Sequence, residues 1–295
     1  MPCFNHIKYV AESIKSVLDQ TERDLELIIV DDASADASRG VIKNFRDTDS
    51  RVKSVLHTVN SGASAARNSA LKIAAGDYIA FCDADDIWKA NKLETQLALL
   101  ENYPSVGVVY GDAEIIDEVG RKTGGTFNDR YPVPGKGEDK GSGFLFKTLA
   151  IRNFINIQSA LVRRDLLPPE NYFDPEIKLV EDWWFWIKIS RLTSFLYDPA
   201  PIGYYRINSS TLPSANLPVN RLKVYSKVIQ FFPERTDDAT TLLPPEKSEI
   251  LYHMGVALKQ CGKSKEARDS FFAALKYNPI NWRAAARVAL CTLRK

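Results

Sequence analysis

Two apolar runs in this chain end in carboxylates. Leu27, Ile28, Ile29 and Val30 lead straight into Asp31 and Asp32, and residues 78–82 lead into Asp83, Asp85 and Asp86. A short run of β-branched and aromatic residues closed by polar ones reads as a buried strand. Around these runs, apolar residues recur at helical spacing. Ile7, Val10, Ile14, Val17 and Leu18 form one stripe, with Asn5 read as its cap. Val41, Ile42 and Phe45 form a second; residues 63–74, stopped by Gly76, and residues 92–101 read as two further helices. Residues 52–57 and 106–110 read as further strands. The alternation predicts an α/β fold, a mostly parallel sheet with helices on both faces. Ligands of such sheets sit outside the carboxyl ends of the strands, so both acidic clusters border one crevice.

The second cluster places three acids within four residues. Like charges this close repel and hold one another's pKa values up. Side chains alternate along an extended chain, so Asp83 and Asp85 point the same way. Such a pair suits Mg²⁺ or Mn²⁺, which take one or two carboxylates and complete their shell with water and substrate phosphates. A cation held there would neutralise a departing diphosphate. The same residues also fit a solvated acidic turn that caps the next helix. Asp32 fits a hydrogen-bond acceptor for a nucleobase or ribose, and equally a cap for a helix near Ala35.

Bulk properties exclude several classes. The chain has 295 residues and a net charge of +2, with nothing that calls for a nucleic-acid partner. Cys3, Cys82, Cys261 and Cys291 have neither zinc-finger spacing nor a disulfide framework, which fits a reduced, cytoplasmic setting. The longest apolar runs are too short to cross a bilayer, and no signal peptide is visible.

Three blocks in order carry a close resemblance: Pro-Cys-Phe-Asn at residues 2–5, the run through Asp31 and Asp32, and residues 60–88, which end Asp-Ala-Asp-Asp-Ile-Trp. Together they resemble the inverting, family 2 glycosyltransferases of the GT-A, Rossmann-like fold, over about residues 2–210. The resemblance implies that Pro2, Phe4 and Asn5 border the nucleotide base, with Phe4 where the family usually has Tyr. It implies that Asp32 reads the base, commonly uracil, and that Arg67 lies on the nucleotide side. Asp83 would face the ribose and metal, Asp85 would bind the metal, and Asp86 and Trp88 complete the Asp-Asp-x-Trp ending. On its own, Arg67 also reads as a helix arginine paired with an acid.

Residues 180–190, Val-Glu-Asp-Trp-Trp-Phe-Trp-Ile-Lys-Ile-Ser, resemble the family's Glu-Asp-Trp-x-x-Trp block, with Asp182 at the base position beside Glu181. An inverting transfer needs one base to take the proton of the acceptor hydroxyl. A helix N-terminus lowers a carboxylate pKa, while neighbouring acids raise it, and the sequence leaves that balance open. Trp183, Trp184 and Trp186 suit sugar stacking, although an aromatic stripe at helical spacing is mostly core. Tyr204, Tyr205, Arg206, Ile207 and Asn208 resemble a Tyr-Arg-x-His block in which Asn208 replaces the His, and Arg206 would supply the missing charge at the diphosphate.

The family's apolar strand before Pro-x-Tyr-Asn has no counterpart ahead of Pro2. Its neighbours are therefore expected to present unpaired backbone, with the start site misplaced or the sequence a fragment as the favoured explanations. Three regions are expected: residues 1–115 for the nucleotide sugar, 116–235 for the acceptor and base, and 246–295 as a helical tail. Within the second, residues 124–143 read as a mobile loop and 199–218 as irregular; residues 236–245 read as a linker. In the tail, Leu251, Met254, Gly255, Leu258, Ala267, Phe271, Ala274 and Pro279 fall at the spacings of a tetratricopeptide repeat. That tail offers packing surface or a site for a protein partner.

The expected function is transfer of a single sugar from a nucleoside diphosphate sugar, a UDP-sugar, to a hydroxyl of a glycan or lipid-linked glycan. The expected place is the cytoplasm, with peripheral association at the inner membrane face left open. The absence of a Gln-x-x-Arg-Trp block argues against a processive synthase. The rivals are a sugar nucleotidyltransferase and an inactive scaffold that acts through the tail.

Overall fold

The computed structural model describes residues 1–135, 140–168, 172–208, 215–231 and 241–292. In chain order the elements are β1 (Pro2–Cys3), α1 (Val10–Leu18), β2 (Leu27–Asp31), α2 (Ser38–Thr48), β3 (Val52–Leu56), α3 (Ala63–Leu71), β4 (Tyr78–Ala80), β5 (Ile87–Trp88), α4 (Lys92–Asn102), β6 (Val106–Ile116) and β7 (Lys122–Thr126). Then come α5 (Phe127–Arg130), α6 (Phe146–Ile151), β8 (Ala160–Arg163), α7 (Glu181–Ile189), β9 (Ser194–Arg206), α8 (Leu217–Phe231), α9 (Pro244–Gln260), α10 (Ser264–Tyr277) and α11 (Trp282–Thr292). The chain divides into two compact units, Met1–Gly143 with Phe154–Leu212, and Phe144–Asn153 with Pro213–Lys295.

The first unit holds two sheets. β1, β2 and β3 run parallel, with Val30 opposite Pro2 and Val55. The second sheet has the order β4-β8-β6-β9-β5, with β7 also on β6. β6 and β9 are parallel, whereas β8 is antiparallel to both β4 and β6. All five residues of β2 are buried, which is why that segment reads as one unbroken apolar run. Val10, Ile14, Val17 and Leu18 of α1 bury one stripe against this core, with Ile29, Val52 and Leu100 in the same cluster. Full burial of such a side chain contributes about 1.5–3 kcal/mol.

Several expectations change. Asn5 does not cap α1, whose N-cap is Tyr9. Its Oδ1 instead accepts the N–H of Ala35 (2.8 Å) and Asp36 (3.3 Å), because the chain turns at Asn5 with φ +58° and meets the loop after β2. Part of the expected mobile loop is regular: β7 pairs with β6, and Thr126 and Asp129 form a reciprocal capping box on α5. Residues 136–139 of that loop lie outside the described residues. Residues 199–206 are not irregular but belong to β9. Pro201 is accommodated because the register shifts on both sides of Asp112, its partner in β6. The boundary expected at 115, between two halves of one domain, falls inside β6.

β4 and β1 are edge strands of their sheets, and β1 pairs with β2 only at Val30 and Asp31. A cavity of about 660 Å³ is lined by Leu27 and Ile28 of β2, by Tyr78, Ile79 and Ala80 of β4, and by Leu71, Leu93 and Leu97. At the other edge, Gly203 lets β5 lie close to β9: a Cβ there would stand 2.8 Å from the Ile87 carbonyl oxygen.

In the second unit α9 and α10 form a helical hairpin turned at Gly262, φ +77°. Phe271 is fully buried against Leu258 and Ala267, and its ring occupies the space a side chain at position 255 would need. Ser270 Oγ donates to the Leu251 carbonyl, closing the pair. Residues 236–240 of the expected linker lie outside the described residues. No helix among the described residues is long and apolar enough to cross a membrane.

Candidate active site

The acidic cluster forms the turn between β4 and β5, closed by the Asp86 N–H donating to the Asp83 carbonyl at 3.2 Å. Asp83 is the most open of the three, with 29% of its side chain exposed, whereas Asp85 and Asp86 are buried. Each acid has a different partner. Asp83 accepts from Arg67 Nη2 at 2.6 Å, Asp85 from Asn208 Nδ2 at 2.8 Å, and Asp86 from the Arg206 N–H at 2.8 Å. Burial, then the charge of Asp83, pushes the Asp85 carboxyl up; burial and the charges of Asp85 and Asp83 push Asp86 up further.

Those acids are held from the far end of β9. The buried Arg206 guanidinium donates to the Asp85 carbonyl (2.7 Å), Glu12 Oε2 (2.6 Å) and the carbonyls of Asp117 and Glu118, and it lies 4.8 Å over the Tyr9 ring. It therefore organises the turn rather than standing open beside it. Trp88 is buried under the Lys92 ammonium (4.3 Å) and forms part of the core. The donor set fits a divalent cation: two carboxylates stand at one turn, and the repulsion that raises Asp85 is one a cation would relieve. No group of three or more His, Cys, Asp or Glu placed to hold an ion occurs among the described residues, so substrate oxygens or water would have to complete the shell.

The end of β2 is built differently. Asp32 accepts the Ser61 N–H on both oxygens (3.0 and 3.1 Å) and the Gly62 N–H on Oδ2 (2.7 Å), and its Oδ1 lies 2.6 Å from His57 Nδ1. Ala33, next in the chain, has φ +63°, a conformation that costs a residue with a side chain of order 1 kcal/mol and clusters at functional turns. Asn5 N–H donates to Ser34 Oγ, which stitches the loop after β1 to this turn. Pro2 is half-buried in β1, and Phe4 is 42% exposed on the same loop.

α3 joins the two ends. Its N-terminus holds Asp32, and one turn on, Arg67 is buried between Asp83 and Glu181, with Nη1 2.5 Å from Glu181 Oε1. Burial opposes the Arg67 charge, but Asp83 and Glu181 overcome it and hold the guanidinium fully protonated. Its Nε has no partner among the described residues, and its plane lies 5.5 Å from the Phe173 ring. Glu181 and Asp182 open α7, the base-side helix. Burial and the Glu181 charge, working against Arg67, push the Asp182 carboxyl up to about 7. The balance left open by the sequence thus falls on the raised side. Trp183, Trp184 and Trp186 are all buried in the core and fix this helix.

His57 and Ser69 are absent from the sequence reading. His57 lies one residue past β3, as Asp32 lies one past β2, so the rule that found the acids also points to it.

Acidic clusters stand at the ends of β2 and β4, and Arg67 links the second to Glu181. The profile of "Glycosyl transferase family 2" matches residues 1–162, and the chain belongs to that family. It is 45% identical over 118 residues to the Escherichia coli UDP-Glc:alpha-D-GlcNAc-diphosphoundecaprenol beta-1,3-glucosyltransferase WfgD, a match covering 40% of this chain and 45% of that one. The chain spans less than half the length of the first curated relatives it matches, 45% and 39%. Its fold is shared with S. aureus TarS 1-349 in complex with UDP-GlcNAc, at TM-score 0.64 and 18% identity over 97% of this chain and 82% of that one. It is also shared with the mannosyltransferase PcManGT from Pyrobaculum calidifontis in complex with GDP-Man and Mn²⁺, at TM-score 0.59 and 20% identity over 99% and 78%.

Proposed function

We propose that this chain transfers one sugar, with inversion, from a UDP-sugar to a hydroxyl on a glycan or lipid-linked glycan. The observation that carries the reading is the buried Arg67, which ties Asp83 at the donor turn to Glu181, the neighbour of Asp182. One guanidinium thereby sets the spacing between the donor end and the base end. Asp182, its carboxyl near neutrality, takes the proton of the acceptor hydroxyl as that oxygen attacks the anomeric carbon. The bond to the diphosphate breaks on the opposite face, and UDP leaves without a covalent enzyme intermediate. Asp83 and Asp85 are the residues that would hold Mg²⁺ or Mn²⁺, which when bound supplies positive charge to the leaving diphosphate. Asn208 orients the Asp85 carboxylate, Arg206 Nε donates to the Asp85 carbonyl, and Asp86 accepts the Arg206 N–H. Pro2, Phe4, Asn5 and Asp32 border the nucleobase.

The UDP-glucosyltransferase relative, whose acceptor is a lipid-linked diphosphate sugar, supports the donor and acceptor classes, and the Mn²⁺-containing neighbour supports the cation. The reaction then belongs on the cytoplasmic side, where nucleotide sugars are available. UDP release from UDP-glucose and UDP-GlcNAc, with water as acceptor, tests the reading. Asp182→Asn is expected to lower release at least about a hundredfold, the range of a lost general base, while UDP affinity stays within about twofold. Unchanged release would overturn the role of Asp182.

A further inference from the structure

The last helix of the second unit turns an apolar face outward. At the corner between α10 and α11, Asn281 is buried. Its Nδ2 donates to Ser248 Oγ of α9 at 3.0 Å, and its Oδ1 accepts the Ala284 N–H at 3.2 Å. The corner is thereby pinned to α9, and the two neighbours of Asn281 stand out from it: Ile280 is 85% exposed and Trp282 75%. α11 continues the pattern. Ala284 is fully buried and Val288 packs on the cluster of Leu258 and Phe271, whereas Trp282, Ala285, Ala286, Ala289 and Leu290 are exposed. At 3.6 residues per turn those five share one arc, opposite the packed one. A surface helix ordinarily carries polar groups on its outward arc, so an apolar one calls for a cover.

The charge of this stretch has one sign. From Ser270 to Lys295 the sequence has five basic residues, Lys276, Arg283, Arg287, Arg294 and Lys295, and no acidic one. The second unit as a whole has sixteen Lys and Arg against seven Asp and Glu, on a chain whose total is +2. Arg283 is tied to Glu249, while Lys276, beside the corner, is exposed. A second copy on this face would set α11 and its arginines against like charges, which opposes the contact. Anionic lipid headgroups suit both features. They attract the basic residues, and the headgroup boundary takes Trp and Ile side chains from a helix lying in its plane. We propose that the α10–α11 corner and the outward arc of α11 form a docking surface for an anionic lipid bilayer. With 11 residues α11 is too short to cross a bilayer, which takes about 20, so it lies on the surface. The inference stands on the second unit and does not depend on the chemistry proposed for the first.

Co-sedimentation of the full chain with phosphatidylcholine vesicles, with and without about 30 mol% phosphatidylglycerol, tests this. Wild type is expected to bind the anionic vesicles at least about tenfold more tightly than the neutral ones, and to be released by about 0.5 M salt, which screens the attraction. The double variant Ile280→Ser, Trp282→Ser is expected to lower affinity for the anionic vesicles at least about tenfold, and Lys276→Ser about fivefold. The lipid and salt dependence of wild type is read without any substitution, so the test holds even where the double variant fails to fold. Equal binding of wild type to both vesicles, or none to either, overturns the proposal. Binding that a folded double variant leaves unchanged overturns it too, because the contact then lies elsewhere. Light scattering without lipid reads the competing cover: a dimer that Trp282→Ser breaks would put a second copy on this face and overturn the proposal.

Discussion

The two acidic strand ends look alike in sequence and differ in physical state. At the end of β2, Asp31 accepts from Arg39 Nε and Nη2 (3.1 and 3.0 Å), and Asp32 gathers His57 and two backbone amides. At the end of β4, Asp85 and Asp86 are buried beside Asp83, and each is pushed up by burial and by its neighbours. At the first pair Asp32 is bonded on both oxygens and Asp31 on Oδ2, whereas the buried Asp31 Oδ1 has no partner among the described residues. At the second, burial and the neighbouring acids push the Asp85 and Asp86 carboxyls up, a repulsion that a bound cation would relieve. The motif of acids at a strand end is therefore not the signal by itself; what decides is whether the fold supplies enough donors.

The largest expected effect breaks the second cluster. Arg67→Met leaves Asp83 and the buried Glu181 without their shared partner, and removal of one member of a buried ion pair costs about 3–5 kcal/mol. Arg39→Ala at the first cluster strands the buried Asp31, but Arg39 is half exposed and water can take its place, so a smaller loss of about 1–3 kcal/mol is expected. Urea unfolding of the two variants measures the contrast, and equal losses would erase it.

Lys92 sharpens the comparison from the other side. It is a buried cation near the second cluster, but its ammonium bonds to Gln96 Oε1 (2.7 Å) and the Ala160 carbonyl (3.4 Å). Burial brings its pKa down to about 7. The unfolded chain then binds more protons between about pH 7 and 10, so stability rises with pH across that window, with a slope of up to about 1.4 kcal/mol per pH unit. Lys92→Met is expected to flatten that rise. Thermal melts across the window measure it, and an unchanged slope contradicts the burial of a lysine that titrates there.

A smaller effect concerns the base. Glu181 raises the Asp182 carboxyl, which sits near 7, so UDP release is expected to climb with pH through about 7 as Asp182 loses its proton. Glu181→Gln removes one raising charge and moves that rising limb to lower pH. A limb that stays in place or moves up would show that Glu181 does not set it.

The elements legible in sequence were those defined by local pattern. β2, α2, α3 and α4 follow from apolar periodicity and sit close to where the spacing puts them. β9 was hidden because Pro199 and Pro201 read as strand breakers, and only pairing with β6, with its register shifts, makes room for them. β7 was hidden by Gly124 and Gly125. The acids of the site were legible because strand ends are legible. The partners that set their states were not. Arg67 to Glu181 spans 114 positions and Arg206 to Glu12 spans 194, separations that no local pattern reports. Asn5 misled because a residue that caps helices also satisfies loop amides, and only the fold shows which amides lie within reach.

On the proposed function the turn after β4 takes up a cation and the turn after β2 does not. Thermal unfolding with UDP, with and without Mn²⁺, on wild type and Asp85→Ala tests it most directly. Ligand at about a hundred times its Kd adds about 2.7 kcal/mol, a shift of several degrees. This shift is expected in wild type only when UDP and Mn²⁺ are both present, and is expected to disappear in Asp85→Ala. An equal shift in Asp85→Ala, or a full shift without Mn²⁺, would contradict it.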